Sequence, residues 1–173
     1  MAKNIEIKAK SANHRRIQQI LQDHNATYIG LDHQIDHYYN VPYGRLKLRL
    51  GNIEKSLIFY KRKNTFNAKE STYQLFKTEN LKDIHPLLLE ALDLLVTVDK
   101  YREIYYIQNA KIHLDRVKAL GSFLEVEIVD DLPHDPVFDS LHEQCLFYQK
   151  LFLVEDKDLI DRSYSDMILE LKR

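Results

Sequence analysis

The chain has 173 residues, of which 45% are hydrophobic, 29% charged and 10% aromatic, which is typical of one globular domain with a sizeable core. Its 25 Lys and Arg residues balance 26 Asp and Glu residues, so a formal net charge of −1 argues against nucleic-acid binding. A single cysteine, Cys145, excludes a disulfide framework and a cysteine-based zinc site. No apolar run reaches the length of a membrane span and no signal peptide opens the chain, so we predict a cytoplasmic protein, not bound to membrane, with one domain over residues 1–173.

The first half of the chain reads mainly as strands. Polar and apolar residues alternate over 4–10, as in a strand with one buried face. The spacing of Ile17, Ile20 and Leu21 then predicts an amphipathic helix over 12–25, with Ser11 or Asn13 as its N-cap. Further strands are predicted at 35–40, 45–50, 56–62 and 71–77.

The second half alternates between helices and strands. Helical spacing predicts a helix over 84–94, and strands are predicted at 96–100, 102–107, 111–115 and 123–129. Two more apolar stripes predict helices over 136–152 and 158–171. This order of elements favours an antiparallel α+β fold over alternating parallel units.

The charged face of each strand carries mostly one sign. Arg45, Lys47 and Arg49 lie on one face about 7 Å apart, where like charges repel. One interpretation is a face exposed to water. The other is a barrel with its charged faces inward, in which cations from 45–49, 61–63 and 100–102 oppose carboxylates from 4–8 and 123–129. Such an interior requires water, counter-ions or a ligand, because an unpaired buried charge is very costly.

The chemistry of the two charge sets constrains that ligand. Arg and Lys clusters suit phosphate oxygens. Glu6, Glu125 and Glu127, with Asp115, suit hard divalent cations, which bridge phosphate oxygens. An anion with several phosphates, bound together with Mg²⁺ or Mn²⁺, satisfies both sets.

These residues also carry a family resemblance. Asn4-Ile5-Glu6-Ile7-Lys8 is similar to the amino-terminal Glu-x-Glu-x-Lys signature of the CYTH superfamily, the triphosphate tunnel metalloenzymes. Further segments resemble the class IV adenylate cyclase branch, and they occur in the order found in that family. They are Gln34–Tyr39 with Gly44–Arg49, Leu57–Arg62, Lys100–Arg102, Ile112–Val117 with Leu120-Gly121, Phe123–Glu127, and Asp158–Ile160 with Ser163-Tyr164.

The resemblance implies a closed antiparallel barrel of eight strands with flanking helices, whose lumen binds a triphosphate and a divalent metal. By position, it implies that the metal ligands are Glu6, Glu125 and Glu127, with Asp115 orienting metal or substrate. It implies that the phosphates are held by Lys8, Lys47, Arg49, Lys61, Lys100 and Arg102. The predicted catalytic residues are Glu6, Lys8 and Asp115. Asn4 stands where the signature has its first Glu, which removes one negative charge from the metal site.

The function favoured by this resemblance is that of a class IV adenylate cyclase, which converts ATP to cyclic AMP and pyrophosphate with Mg²⁺ or Mn²⁺. A triphosphatase acting on inorganic, thiamine or nucleoside triphosphate in the same tunnel is an alternative. A further alternative, which Asn4 keeps open, is a module that binds triphosphate or polyphosphate without turnover. The expected partner is ATP or another triphosphate, and a homodimer is left open.

Other residues have simpler interpretations. Lys61 is preferred to Arg62 as a phosphate ligand because the two point to opposite faces of a strand. His33 and His37 share a strand face without a third strong ligand, and are interpreted as a surface pair. His113 is interpreted as a hydrogen-bonded lumen residue. The tyrosines at positions 38, 39, 60 and 105 are interpreted mainly as packing residues, one of which is able to stack on a base or thiazole ring.

Overall fold

The computed structural model describes residues 2–11, 13–62, 69–77, 80–129 and 136–172. The strands are β1 (Ala2–Lys10), β2 (Thr27–Tyr39), β3 (Arg45–Leu50), β4 (Lys55–Arg62), β5 (Lys69–Phe76), β6 (Leu94–Ile107), β7 (Ala110–Val117) and β8 (Gly121–Val129). The helices are α1 (His14–Asp23), α2 (Leu81–Leu92), α3 (Leu141–Leu151) and α4 (Tyr164–Leu171), and a 3-10 turn spans Asp156–Asp158. None of the described helices is long and apolar enough to cross a membrane.

The eight strands form a closed antiparallel barrel in the order β1-β5-β4-β3-β2-β6-β7-β8. Strand β1 pairs with both β5 and β8, which closes the ring. Successive side chains of a strand alternate between the inside and the outside of the barrel. The predicted α+β fold with an antiparallel eight-stranded barrel is therefore confirmed.

The hydrophobic core lies outside the barrel, between the strands and the helices. The largest cluster joins Ile7, Ile112 and Val126 of the strands to Leu21 of α1 and Tyr148 of α3. A second cluster packs Tyr164 and Ile168 of α4 on β6 and β8, and a third packs α2 on β2 and β3. Because each buried apolar side chain contributes about 1.5–3 kcal/mol, this arrangement favours apolar faces outward and leaves the polar faces for the lumen.

Side-chain caps fix where three of the helices begin. The Asn13 side chain accepts a hydrogen bond from the Arg16 N–H at the start of α1. Ser140 does the same for Glu143 in α3, and Ser163 forms a reciprocal capping box with Asp166 in α4. The predicted helix over 158–171 is therefore too long, because the capping box starts α4 at Tyr164.

Two strand predictions also differ from the structure. The segments 96–100 and 102–107 are parts of one continuous strand, β6, since Tyr101 lies in its middle and is merely exposed on the outer face. Strand β2 begins at Thr27, eight residues before the predicted start at 35. Its early part escapes prediction because Asp32 and Gln34 are buried there while Leu31 is exposed, which inverts the usual pattern.

The turn between β3 and β4 is held against the barrel by Asp32. The backbone N–H groups of Asn52, Ile53 and Glu54 donate to its fully buried carboxylate at 2.6, 2.8 and 2.9 Å. A Cβ at Gly51 would lie 2.4 Å from the Glu54 carbonyl oxygen, so the tight turn requires glycine there. This turn carries the Glu54 side chain to the edge of the lumen.

Candidate active site

The barrel encloses a cavity of about 770 Å³, within the size range of small-molecule sites. Most of the side chains that line it are charged. The acidic ones are Glu6, Asp36, Glu54, Glu125 and Glu127, and the basic ones are Lys8, Lys47, Arg49, Lys55, Lys77, Lys100, Arg102 and Lys111. The polar strand faces therefore converge on a shared interior.

Eight of the ten site residues singled out from the sequence line this cavity. They are Glu6, Lys8, Lys47, Arg49, Lys100, Arg102, Glu125 and Glu127. Asp115 lies behind the lining, fully buried. Lys61 lies on the exposed face of β4, with its Nζ 4.8 Å from the centre of the Tyr43 ring. The inward-facing residues of β4 are instead Ser56, Ile58 and Tyr60, while the side chain of Arg62 is outside the described part of the chain.

Asp36 is the centre of the cationic side of the cavity. Arg49 donates to both of its carboxylate oxygens, at 2.8 and 2.9 Å, and the Nζ atoms of Lys100 and Lys47 approach at 2.8 and 3.3 Å. Burial disfavours ionisation of Asp36, but the three cations outweigh it and hold the pKa of this carboxyl well below its usual range. Asp36 thus draws three candidate phosphate ligands from two strands to one point.

Lys100 is fully buried among other cations. Burial, together with the nearby Arg49 and Arg102, lowers its pKa to about 7, and the attraction of Asp36 opposes this shift. An additional anion in the cavity would stabilise the charged form of Lys100, because the one carboxylate beside it is shared among three cations.

Glu54 is the second carboxylate in the cavity that is shared by several cations. Its carboxylate accepts hydrogen bonds from Arg49 Nη1 at 2.9 Å, from Gln34 Nε2 at 2.9 Å and from Lys111 Nζ. Burial raises the pKa of Glu54, but the nearby Arg49 and Lys111 lower it by a larger amount. The net effect is a lowered pKa, so the carboxyl is ionised. Glu54 therefore links the cations of β3 to the lysine of β7.

Asp115 acts on Arg102 in this structure. Its two oxygens accept from Arg102 Nε and Nη2 at 2.7 and 2.6 Å, and from the Tyr164 hydroxyl at 2.7 Å. Because a bidentate pair fixes the plane of a guanidinium, Asp115 aims Arg102 into the cavity and ties it to the start of α4. The metal-orienting role predicted for Asp115 stays a prediction.

Glu125 is also surrounded by cations. Lys8 Nζ lies 3.0 Å and Arg102 Nη2 lies 3.2 Å from its carboxylate oxygens. His113 Nδ1 lies 3.1 Å away, and burial followed by Arg102 lowers the pKa of His113 to about 4. The imidazole is therefore neutral, and its buried Nε2 has no hydrogen-bond partner among the described residues.

The acidic side of the cavity lies where β1 meets β8. Glu6 and Glu127 are directly paired in register on these strands, and the Asn4 amide donates to Glu127. Burial raises the pKa of Glu127, and the neighbouring carboxylates of Glu6 and Glu125 add to this, although Lys111 opposes it. Ligand atoms of His113, Glu125 and Glu127 lie within 4.8 Å of one another. The acidic cluster of Glu6, Glu125 and Glu127 offers hard carboxylate oxygens to the cavity, so it fits a divalent cation.

Sequence reasoning missed four members of the site. Asp36 and Glu54 oppose the cations, Lys111 bridges the two sides, and Tyr164 closes the end near α4, with Lys8 Nζ 4.2 Å from its ring centre. The alternation of residues 111–115 does place Lys111 on the same strand face as His113 and Asp115. No local signal marks Glu54, which lies in a turn.

His33 and His37 do not line the cavity. His33 is hydrogen-bonded to Asp99 at 2.8 Å, and the His37 ring stacks on His85.

The fold has clear counterparts among solved structures. The PH1012 protein of Pyrococcus horikoshii OT3 is 20% identical, with a TM-score of 0.77 over 94% of this chain and 98% of that chain. A proposed adenylate cyclase from Vibrio parahaemolyticus is 18% identical, with a TM-score of 0.75 over 96% and 97%. HpAC1 from Hippeastrum, a proposed adenylyl cyclase reported to have a dominant triphosphatase activity, is 13% identical, with a TM-score of 0.62 over 99% and 96%.

No curated protein matches the sequence as a relative. A family model does match, and it covers nearly the whole chain: the CYTH domain model aligns with residues 2–164. That span contains the eight-stranded barrel and both charge sets of its cavity. On this evidence, the chain belongs to the CYTH family.

Proposed function

We propose that this protein is a metal-dependent enzyme that binds a triphosphate inside the barrel and cleaves it there. The observation that carries the proposal is the convergence of Arg49, Lys100 and Lys47 on a single carboxylate, beside an acidic cluster in the same cavity. CYTH enzymes act on triphosphates and depend on divalent metals, and this chain belongs to that family.

The cationic side holds the phosphate chain. Arg49 presents a planar fork to phosphate oxygens, and the lysines act as point charges. Arg102 is aimed by Asp115 and requires no reorientation when the substrate enters. Lys8, which contacts Glu125 and lies over the Tyr164 ring, places a further cation between the phosphate ligands and the acidic cluster.

The acidic side holds the metal, Mg²⁺ or Mn²⁺. Glu6 and Glu127 are the principal ligands in this proposal, because Glu125 is already shared between Lys8 and Arg102. When bound there, the divalent cation neutralises phosphate charge and increases the acidity of the attacking hydroxyl or water. Asn4 contributes no charge, and its amide group orients Glu127.

Cyclisation of ATP is the reaction that we propose first, because the sequence motifs resemble the class IV adenylate cyclase branch. In this reaction the ribose 3′ oxygen attacks the α-phosphorus, and pyrophosphate leaves with the bridging oxygen. The residues of the cationic side contribute by holding the chain in line and stabilising the leaving group. Hydrolysis is the second candidate, since HpAC1, which shares the fold, is reported to have a dominant triphosphatase activity.

Incubation of the purified protein with ATP and Mn²⁺ tests the proposal. Cyclic AMP with pyrophosphate supports the cyclase, and ADP with orthophosphate supports the triphosphatase. Binding without products would leave a binding module and overturn the enzymatic proposal. The variant Arg49→Ala serves as the control, because contaminating activity would not respond to the loss of a lumen arginine.

A further inference from the structure

One side of the cavity is formed by uncharged side chains. Strands β4 and β5 are paired so that Ile58 lies opposite Leu75 and Tyr60 lies opposite Tyr73. All four side chains line the cavity. Together they form an uncharged patch, the β4–β5 wall, and the nearest charged lining residues along these two strands are Lys55 at the start of β4 and Lys77 just after β5.

The β4–β5 wall faces the phosphate-binding side. In the ring order of the barrel, β5 lies opposite β6 and β4 lies opposite β7. Strands β6 and β7 carry Lys100, Arg102 and Lys111. A phosphate chain alone would make no favourable contact with the apolar surface on the other side of the cavity. A ligand with an apolar part and an anionic part would contact both the wall and the cations.

Packing does not account for the aliphatic part of this wall. Tyr60 packs against the hydrophobic cluster beneath α4, but Ile58 and Leu75 belong to none of the three hydrophobic clusters of the described residues. Leu75 is 44% exposed although it lines the cavity. Apolar surface left open to water in a cavity is a favourable contact site for an apolar ligand group.

We infer that the β4–β5 wall binds the planar base of a nucleoside triphosphate, so that the substrate is a nucleotide and not inorganic tripolyphosphate. This inference rests on the proposed function. Tyrosine rings suit the stacking of a base, and the aliphatic side chains of Ile58 and Leu75 cover its remaining surface. Lys47 Nζ lies 5.8 Å from the centre of the Tyr60 ring, so the phosphate ligands and the wall are close enough for one nucleotide to contact both.

The test compares two ligands that share a chain of three phosphorus atoms, one with the nucleoside and one without it. Calorimetry with Mn²⁺ measures the affinity for the bismethylene analogues of ATP and of tripolyphosphate, whose P–C–P links prevent turnover. The variants are Leu75→Ser and Ile58→Ser. Phe76→Ser is the matched control, because Phe76 is the next residue along β5, is 56% exposed and does not line the cavity.

The wall variants are expected to bind the ATP analogue about tenfold more weakly, which is the loss expected when one aliphatic contact is removed. Binding of the tripolyphosphate analogue should stay within about twofold, and Phe76→Ser should change neither. Equal losses for both ligands, or no loss for the ATP analogue in either wall variant, would overturn the inference. If the wild-type protein bound neither analogue, the proposed function itself would fail; binding of both, unchanged by the wall variants, would overturn only the inference.

Discussion

The two sides of the lumen are built on opposite principles. On the side of β2, β3, β6 and β7, several cations share a carboxylate, as Arg49, Lys47 and Lys100 share Asp36. On the side of β4 and β5, Ile58, Leu75 and two tyrosines face the cavity without charge. The charged side is preorganised by its own ion pairs, so a phosphate chain has to compete with protein carboxylates for the cations. The uncharged side offers no such competition, and its contribution to binding depends on burying surface.

Removal of the Asp36 charge gives the largest expected effect on this contrast. Asp36→Asn leaves Arg49, Lys100 and Lys47 without their shared anion, and we expect a loss of about 3–5 kcal/mol of unfolding free energy. Urea denaturation measures this loss. The control is Asp99→Asn, at a partly exposed hydrogen bond with His33, where a loss of less than about 1 kcal/mol is expected. Tripolyphosphate should stabilise Asp36→Asn more than the wild-type protein; equal stabilisation would show that Asp36 does not share its cations with phosphate.

The loss of one buried cation should weaken binding strongly. In Lys100→Met, affinity for a non-hydrolysable triphosphate should fall about tenfold to a hundredfold, the range for a hydrogen bond between charged groups. Isothermal titration calorimetry provides the measurement. Lys118→Met, which changes an exposed lysine, should bind as the wild-type protein does. Comparable affinities in the two variants would remove Lys100 from the phosphate site.

The acidic cluster should respond in its affinity for metal. Glu127→Gln is expected to weaken Mn²⁺ binding about tenfold, because an amide keeps the shape of the side chain and loses its charge. Electron paramagnetic resonance of free Mn²⁺ follows the titration, with Glu90→Gln on the exposed face of α2 as control. Glu125→Gln provides a contrast, since it also removes the carboxylate that Lys8 and Arg102 share and should lower stability. A Glu127→Gln titration identical to the wild-type curve would contradict the assignment of this ligand.

The pH dependence of binding sharpens the role of Lys100. With a pKa of about 7 in the free protein, Lys100 is charged at pH 6 and mostly neutral at pH 8.5, and bound phosphate restores its charge. Triphosphate binding at pH 8.5 should therefore take up about one proton, and the uptake should disappear towards pH 6. Calorimetry in two buffers with different ionisation enthalpies measures the uptake. Lys100→Met should abolish it, and uptake that persists in this variant would assign the proton to another group.

The smallest effect is expected outside the barrel. Lys61→Met should change triphosphate affinity by less than about twofold, because Lys61 is exposed on the face of β4 opposite to the lumen. Calorimetry alongside Lys100→Met gives the comparison. A tenfold loss would restore Lys61 to the phosphate site, as the family resemblance implies.

Much of the charged side was predictable because it leaves a local trace. Arg45, Lys47 and Arg49 repeat every second residue, and so do Glu125 and Glu127, which is the period of a strand with one charged face. The direction of the Lys61 side chain was difficult to predict because β4 has apolar residues on both faces. Leu57 and Phe59 face outward, and Ile58 and Tyr60 face inward. Where both faces are apolar, alternation cannot tell inside from outside.

The sequence by itself determined the strand faces, the signs of their charges and the family resemblance, because each of these depends on residues that are close together in the chain. Only the tertiary structure decided which charges meet. Asp36 joins Arg49 and Lys100 across three strands, and Glu54 reaches Lys111 from a turn held by Asp32. These pairings depend on barrel closure and strand register, which arise from contacts between residues far apart in the chain.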